Sequence, residues 1–378
     1  MTMNLKLRVR QDPWCLMLVA NVAVVIGVFL YKLTREPYVP YIHLLVDYHF
    51  GFTKRALIGA ALSLFFSKIS VWHVFALSGA VWLVTTGLFI KLFQRTFSLC
   101  DQHLPLFVLM AGSPFFLKNF MYTLGHFDIY GCMLAISLLL APSRSIGFVV
   151  VAAMGSMVLI LIHHIHLLMY VPTITAIVVL RYYLVLGFTR WNIAIGVVGA
   201  ACILFLFVFA QFFGTITVPE AEFIRHLQSR MADADRTDLL QFSYIWYQPL
   251  SKELLDTWHR LPSNLLGIPV FALLIWLHSP IWKYFASSVR ALSDELHRRI
   301  VTASVVLVSA GYLIMFAIVF DYSRWISNWA VCMFLILHAV KALPASKPVP
   351  PVSFKDRANV GLGWVVTLVP RVGIIRPF

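Results

Sequence analysis

The sequence predicts an all-α, polytopic integral membrane bundle of about ten transmembrane helices, and three observations carry that prediction. Hydrophobic residues make up 60% of the 378 and charged residues only 12%, far below the roughly one-quarter charged usage of soluble domains. Mean hydropathy is +0.84. The apolar residues fall in runs of about 17 to 25, the length a helix needs to cross the hydrocarbon at about 1.5 Å per residue. A helix is the form such runs take in lipid, because its backbone groups bond one another internally.

The formal charge of +14 excludes little by itself. In a soluble chain it would suggest nucleic acid; here it fits loops facing an anionic leaflet, so membrane lipid is the expected partner and nucleic acid is not. Cys15, Cys100, Cys132, Cys202 and Cys332 stand singly, without the spacing of a disulfide framework or a zinc site, and read as small buried hydrophobes. The basic start MTMNLKLRVRQD precedes an apolar run, Trp14 to Tyr31, that lacks a small-x-small cleavage site. It reads as a signal anchor.

Candidate spans follow at 14–31, 70–90, 104–121, 128–141, 146–163, 167–184, 192–213, 263–280, 300–320 and 325–341. The fourth is short. Ala56 to Ser67 is too short to span and too apolar for a loop, so we read it as re-entrant or interfacial. With ten spans and a cytoplasmic N-terminus, 18 of the 30 Lys and Arg lie in inside segments, and most acids lie outside. An eleventh span at 56–67 would invert every later loop against the positive-inside rule.

Residues 1–343 thus read as one membrane domain. Its long external loop, about 214–262, holds two amphipathic polar stretches around the aromatic run FSYIWYQP; it is too long for a mere connector. That aromatic run reads either as an interfacial belt or as a sugar-stacking surface. Residues 344–378 read as a cytoplasmic, Pro-rich tail lying along the membrane surface.

With this topology, four segments bring polar side chains to one external rim. DYHFGFTKR supplies Asp47, Lys54 and Arg55, and LGHFDIYG supplies His126 and Asp128. HHIH supplies His163, His164 and His166, and FDYSRW supplies Asp321 and Arg324. Charge near hydrocarbon is costly and usually retained for a purpose. Each member also has a plain structural reading. Asp128 can cap its helix, Asp321 and Arg324 can pair at i,i+3, Lys54 and Arg55 can anchor headgroups, and the histidines can simply pack. A metal held by HHIH would need imidazoles off a regular helix, which leaves a divalent cation open and no cofactor assigned.

The chemistry that suits this set is glycosyl transfer. A carboxylate takes a proton from an acceptor hydroxyl while cations steady the departing phosphate. Asp47 and Asp128 are the catalytic candidates; Lys54, Arg55, His126, His163, His164, His166, Asp321 and Arg324 are the substrate-binding candidates. The layout resembles the GT-C superfamily of polyprenyl-phosphate-sugar-dependent membrane glycosyltransferases and the related bacterial polysaccharide polymerases. An aspartate in the first external loop (Asp47), a second acid at a later external helix end (Asp128) and a long late external loop carry that resemblance. It implies that Asp47 activates the acceptor and that the partners are a polyprenyl-linked sugar donor and a glycan or lipid acceptor. It also implies a bacterial inner membrane, in which the charge balance puts both termini on the cytoplasmic side. The paired acidic motif of that superfamily is missing in its simplest form, since Tyr48 and His49 follow Asp47. A transporter or flippase of a lipid-linked or anionic substrate, and a membrane O-acyltransferase, are the alternative functions.

Overall fold

The computed structural model describes residues 12–97, 102–232, 236–248, 250–265, 267–318, 321–346 and 356–371. Among these residues the regular structure is helical, and the only strand-like pairings are two isolated bridges, Ile69 with Met231 and Leu292 with Ala345. Lys6, Arg8, Arg10, Cys100, the end of the ninth predicted span and most of the Pro-rich stretch lie outside the described residues. The other four cysteines form no disulfide.

The described residues open with α1 (Pro13–Leu33), started by Asp12, whose side chain accepts the Trp14 N–H at 2.9 Å, and by proline in the first turn. Both are favourable where helix N–H groups lack partners. The short α2 (Tyr38–Leu45) and α3 (Leu57–Ser63) precede α4 (Val71–Phe97). Next come α5 (Leu104–Ala111), α6 (Leu117–Tyr122), α7 (Asp128–Leu140) and α8 (Ile146–Ile162). Beyond the HHIH turn lie α9 (His166–Met169) and α10 (Val171–Val178), which runs on through a π turn to Leu186, and then α11 (Arg190–Phe213). Later come α12 (Glu220–Arg230), α13 (Leu250–Leu265), α14 (Ile268–Leu277), α15 (Ser279–Arg290), α16 (Glu295–Ile318), α17 (Tyr322–Val340) and α18 (Arg357–Leu368).

Four of these, α1, α4, α11 and α16, are long and apolar enough to cross a membrane, and α14 with α15 makes a fifth if their 63° bend lies within one crossing. Over α11 the mean hydropathy reaches 2.8 while only 11% of the window is buried in the protein. Val197, Val198, Phe205 and Phe212 are each more than 60% exposed. Apolar surface on this scale is stable against lipid and not against water.

The remaining predicted spans are not straight, and their sequences say why. Span 104–121 breaks between α5 and α6 at Ser113-Pro114, where proline lacks the N–H that would continue the ladder. Ser113 Oγ instead takes the Phe115 N–H at 3.1 Å and bonds His278 Nε2 at 2.8 Å. Span 263–280 is split across α13, α14 and α15, with the bend at His278, just before Pro280. Span 167–184 is divided at Tyr170-Val171-Pro172. The apolar run at 56–67 forms only the short α3, too short to cross, and ends in the exposed Leu64 and Phe65.

Two groups of contacts mark two ends of the bundle. At one end Arg95 reaches the Leu140 carbonyl, Arg181 reaches those of Leu138 and Leu139, and Phe97 meets His103 and Tyr284. At the other end α2, α3, α12 and the two 3₁₀ turns at Thr237–Leu240 and Ser243–Trp246 build a cap with its own apolar core, in which Tyr41, Ile69, Phe223, Leu227 and Trp246 are all buried. The expected amphipathic stretches of the long loop are α12 and α13.

In the described part of the tail, α18 packs beside α1, Gly363 meeting Trp14 and Met17. The reason is an acceptor problem solved from inside. The buried Lys118 ammonium donates to the last carbonyls of α18, Val366 at 2.8 Å and Thr367 at 2.7 Å, where a helix carries partial negative charge. Arg371 then bonds the Tyr122 hydroxyl, beside Lys32, at the capped end.

Candidate functional site

The first cluster centres on Arg324, in the first turn of α17. Its Nε lies 3.1 Å from Asp128 Oδ2 and 3.4 Å from Asp321 Oδ2, and its NH1 lies 2.9 Å from His126 Nδ1. Arginine only donates, so His126 Nδ1 accepts and the ring proton sits on Nε2. Burial, with the Arg324 guanidinium and Lys32 adding to it, pushes the His126 pKa well down. Asp128 makes no capping bond at the start of α7. It faces Arg324 and Asn328 instead, and the Asn328 amide donates to Oδ2 at 3.2 Å. Tyr170 donates to the other end of that amide at 2.6 Å. Gly131 allows this: a Cβ there would stand 2.3 Å from the Tyr170 ring.

A second set lies beneath the cap. His163 ends α8 in extended backbone, and the rings of His164 and His166 stand 5.2 and 6.3 Å from it. The fully described neighbour that sequence reasoning missed is His43 of α2, buried, stacked on Phe127 at 4.4 Å and edge-on to Trp246 at 5.3 Å. Arg55 is the charged neighbour of His43, His163 and His164, and Lys54 of His164. Arg55 holds φ +66°, the only non-glycine residue in the left-handed region among those described. Such conformations cost of order 1–3 kcal/mol and persist where surrounding structure imposes them. Lys54 is fixed by its backbone N–H to the Gly214 carbonyl and by Nζ to that of Gln248. Among the described residues, no three His, Cys, Asp or Glu side chains converge as a metal-binding set.

No family model matches the chain, and neither does a curated protein or a solved structure.

Asp47 is held by side chains of α12. Its Oδ1 meets His226 Nε2 at 2.9 Å and accepts the His49 N–H at 3.0 Å, while Oδ2 pairs with Arg230 at 2.8 Å. Burial alone would raise this carboxyl, but the bonds from His226 and His49 and the Arg230 charge outweigh it and hold its pKa below the ordinary value. Arg230 also donates to the Leu45 and Gly59 carbonyls, tying α12 to α2 and α3. α2 ends at Leu45, so Asp47 stands in the segment just beyond it, next to α12.

The aromatic run of the long loop packs mainly inward: Trp246 is fully buried and Phe242 contacts Tyr38, while Tyr244 stays exposed. His226 and Arg230 sat in plain view on a polar amphipathic helix, where side chains four apart share a face. Asn328, Tyr170 and His43 were legible only as polar groups inside apolar stretches.

Proposed function

We propose that this chain is a membrane glycosyltransferase or polymerase acting on a polyprenyl-(di)phosphate-linked sugar at the capped end of the bundle. The observation that carries the proposal is the placement of Arg55. Its guanidinium, presented by strained backbone next to Lys54, is a charged neighbour of His43, His163 and His164 below the cap. A planar cation with lysine and imidazoles around it suits a phosphate group. The exposed apolar tip Leu64-Phe65, a few residues further on, suits entry from lipid by a ligand with a polyprenyl tail. Arg324, Asp128 and His126 complete a polar wall that orients the sugar, and Asp47 belongs to the machinery that activates the acceptor. This reading puts the capped end outside the cytoplasm and takes the short and bent helices as passes alongside the long ones.

The deciding experiment offers purified protein polyprenyl-phosphate-linked and polyprenyl-diphosphate-linked sugars and follows transfer to glycan or lipid acceptors. Arg55→Ala is expected to raise KM for the donor at least tenfold while the protein still folds. Transfer unaffected by Arg55→Ala and Lys54→Ala together rules the reading out. A transporter or flippase is the second reading, favoured by the interrupted passes at Ser113-Pro114 and His278, since broken helices are typical of carriers. Movement of a fluorescent lipid-linked sugar across proteoliposomes without any transfer product would select it.

A further inference from the structure

We propose that His226 is the proton acceptor of this transfer and that Asp47 acts through it as a positioning residue; this rests on the glycosyltransferase reading. Asp47 is poorly placed to take a proton itself. Oδ1 already accepts from His226 Nε2 and the His49 N–H, and Oδ2 is held by Arg230. Arg230 is in turn fixed on the Leu45 and Gly59 carbonyls, the latter at 3.1 Å, so the carboxylate is locked in direction. A carboxylate held this way does for histidine what the acid of a hydrolytic triad does: it selects the tautomer and steadies the imidazolium.

The ring geometry follows. Nε2–H donates to Asp47, so the lone pair of Nδ1 is the free basic position. The side chain keeps 15% exposure. One face of the ring is backed by His49, stacked at 4.2 Å and 11°, and Phe50 closes an edge at 5.2 Å. On α12, Phe223 and Leu227 bury into the cap and thereby fix the helix that carries His226. The loop from Asp47 to Arg55 joins this dyad to the phosphate-facing cations.

In the transfer, an acceptor hydroxyl oxygen forms a bond to the anomeric carbon and its proton passes to His226 Nδ1. The bond from the anomeric carbon to the donor phosphate oxygen breaks, and its electron pair leaves with the polyprenyl (di)phosphate. The imidazolium, stabilised by Asp47, then returns its proton to water.

The test uses the full-length protein with both classes of polyprenyl-linked donor and reads kcat and KM separately. His226→Gln is expected to lower kcat by roughly 10²–10⁴-fold, the usual weight of a general base, with KM changed less than threefold, whereas Arg55→Ala acts on KM. Asp47→Asn, the second arm, places an amide at the position that must accept the Nε2 proton; it is expected to lower kcat while Asp47→Glu recovers part of it. A wild-type kcat in folded His226→Gln, with Arg55→Ala still impaired, overturns the role of His226 and leaves the parent reading standing. A folded Asp47→Asn that transfers normally overturns it equally. No transfer by the wild-type protein from either donor overturns both.

Discussion

Arg324 and Asp128 face each other at 3.1 Å with side-chain exposures of 14% and 2%, a nearly buried ion pair between α17 and α7. Burying two charges is repaid only when geometry and additional hydrogen bonds are good. Here Asn328, Tyr170, Asp321 and His126 supply those bonds, so the pair sets the register of the two helices as well as the polar wall.

Asp128→Ala leaves the Arg324 guanidinium with only the half-exposed Asp321 as a carboxylate partner. The expected loss is about 3–5 kcal/mol of stability, the usual result of breaking a buried pair. Asp128→Asn is expected to cost less because the amide still bonds Asn328, and Asp128→Asn with Arg324→Met to recover most of the loss. Thermal unfolding in detergent measures all three; an Asp128→Ala variant as stable as wild type contradicts the pairing.

Arg55 carries charge and backbone strain together, and two substitutions separate them. Arg55→Gly removes the guanidinium and relieves the left-handed strain, so the protein should melt at or above the wild-type temperature while donor binding falls. Arg55→Lys keeps the charge and the strain and should retain part of the binding. A folded Arg55→Gly protein with unchanged donor KM contradicts a phosphate role.

The Asp47 clamp sets a pH limit. Its folded pKa is lowered, so its contribution is fully present above the unfolded value of about 3.9 and is lost as pH falls through the lowered folded value. From pH 8 to pH 5 this group should change nothing. Below about pH 4 the contacts of α12 with α2 and α3 should loosen, seen as faster amide exchange in 220–231. Asp47→Asn should remove that acid limb and weaken the contact at neutral pH.

The C-terminal helix is part of the bundle. Deleting 356–378 strips the Val366 and Thr367 carbonyls from Lys118 and should destabilise the protein by several kcal/mol, the scale for an uncompensated buried charge. Lys118→Met in the shortened chain should restore much of it. Equal melting of the full and shortened chains contradicts the packing of α18.

A last prediction concerns sides. Single cysteines at Glu36, Glu222 and Arg371 lie at the capped end and should react together with an impermeant maleimide, while one at Arg144 should react from the opposite face. Labelling of Arg371→Cys with Arg144→Cys instead would overturn the path drawn for α18.

The sequence alone determined that this is an all-helical chain suited to lipid, because hydropathy and run length depend on composition along the chain and need no partner. It named Asp128, His126, Arg324 and Asp321 among the polar residues of one rim, since charges at the ends of apolar runs have few places to go, and it read α12 and α13 from their amphipathic spacing. What it could not determine was set by contacts remote in the chain. Pro114 and Pro280 are local breaks written in the sequence, but a missing N–H leaves no trace in an apolar average, so a hydropathy reading runs through them. Lys118 draws α18 into the bundle through two carbonyls, a backbone interaction that side-chain patterns do not encode. Asp47 was legible as a rim carboxylate, but only the folded α12 shows that its oxygens meet His226 and Arg230, because a carboxylate's chemistry is decided by the donors that surround it in space.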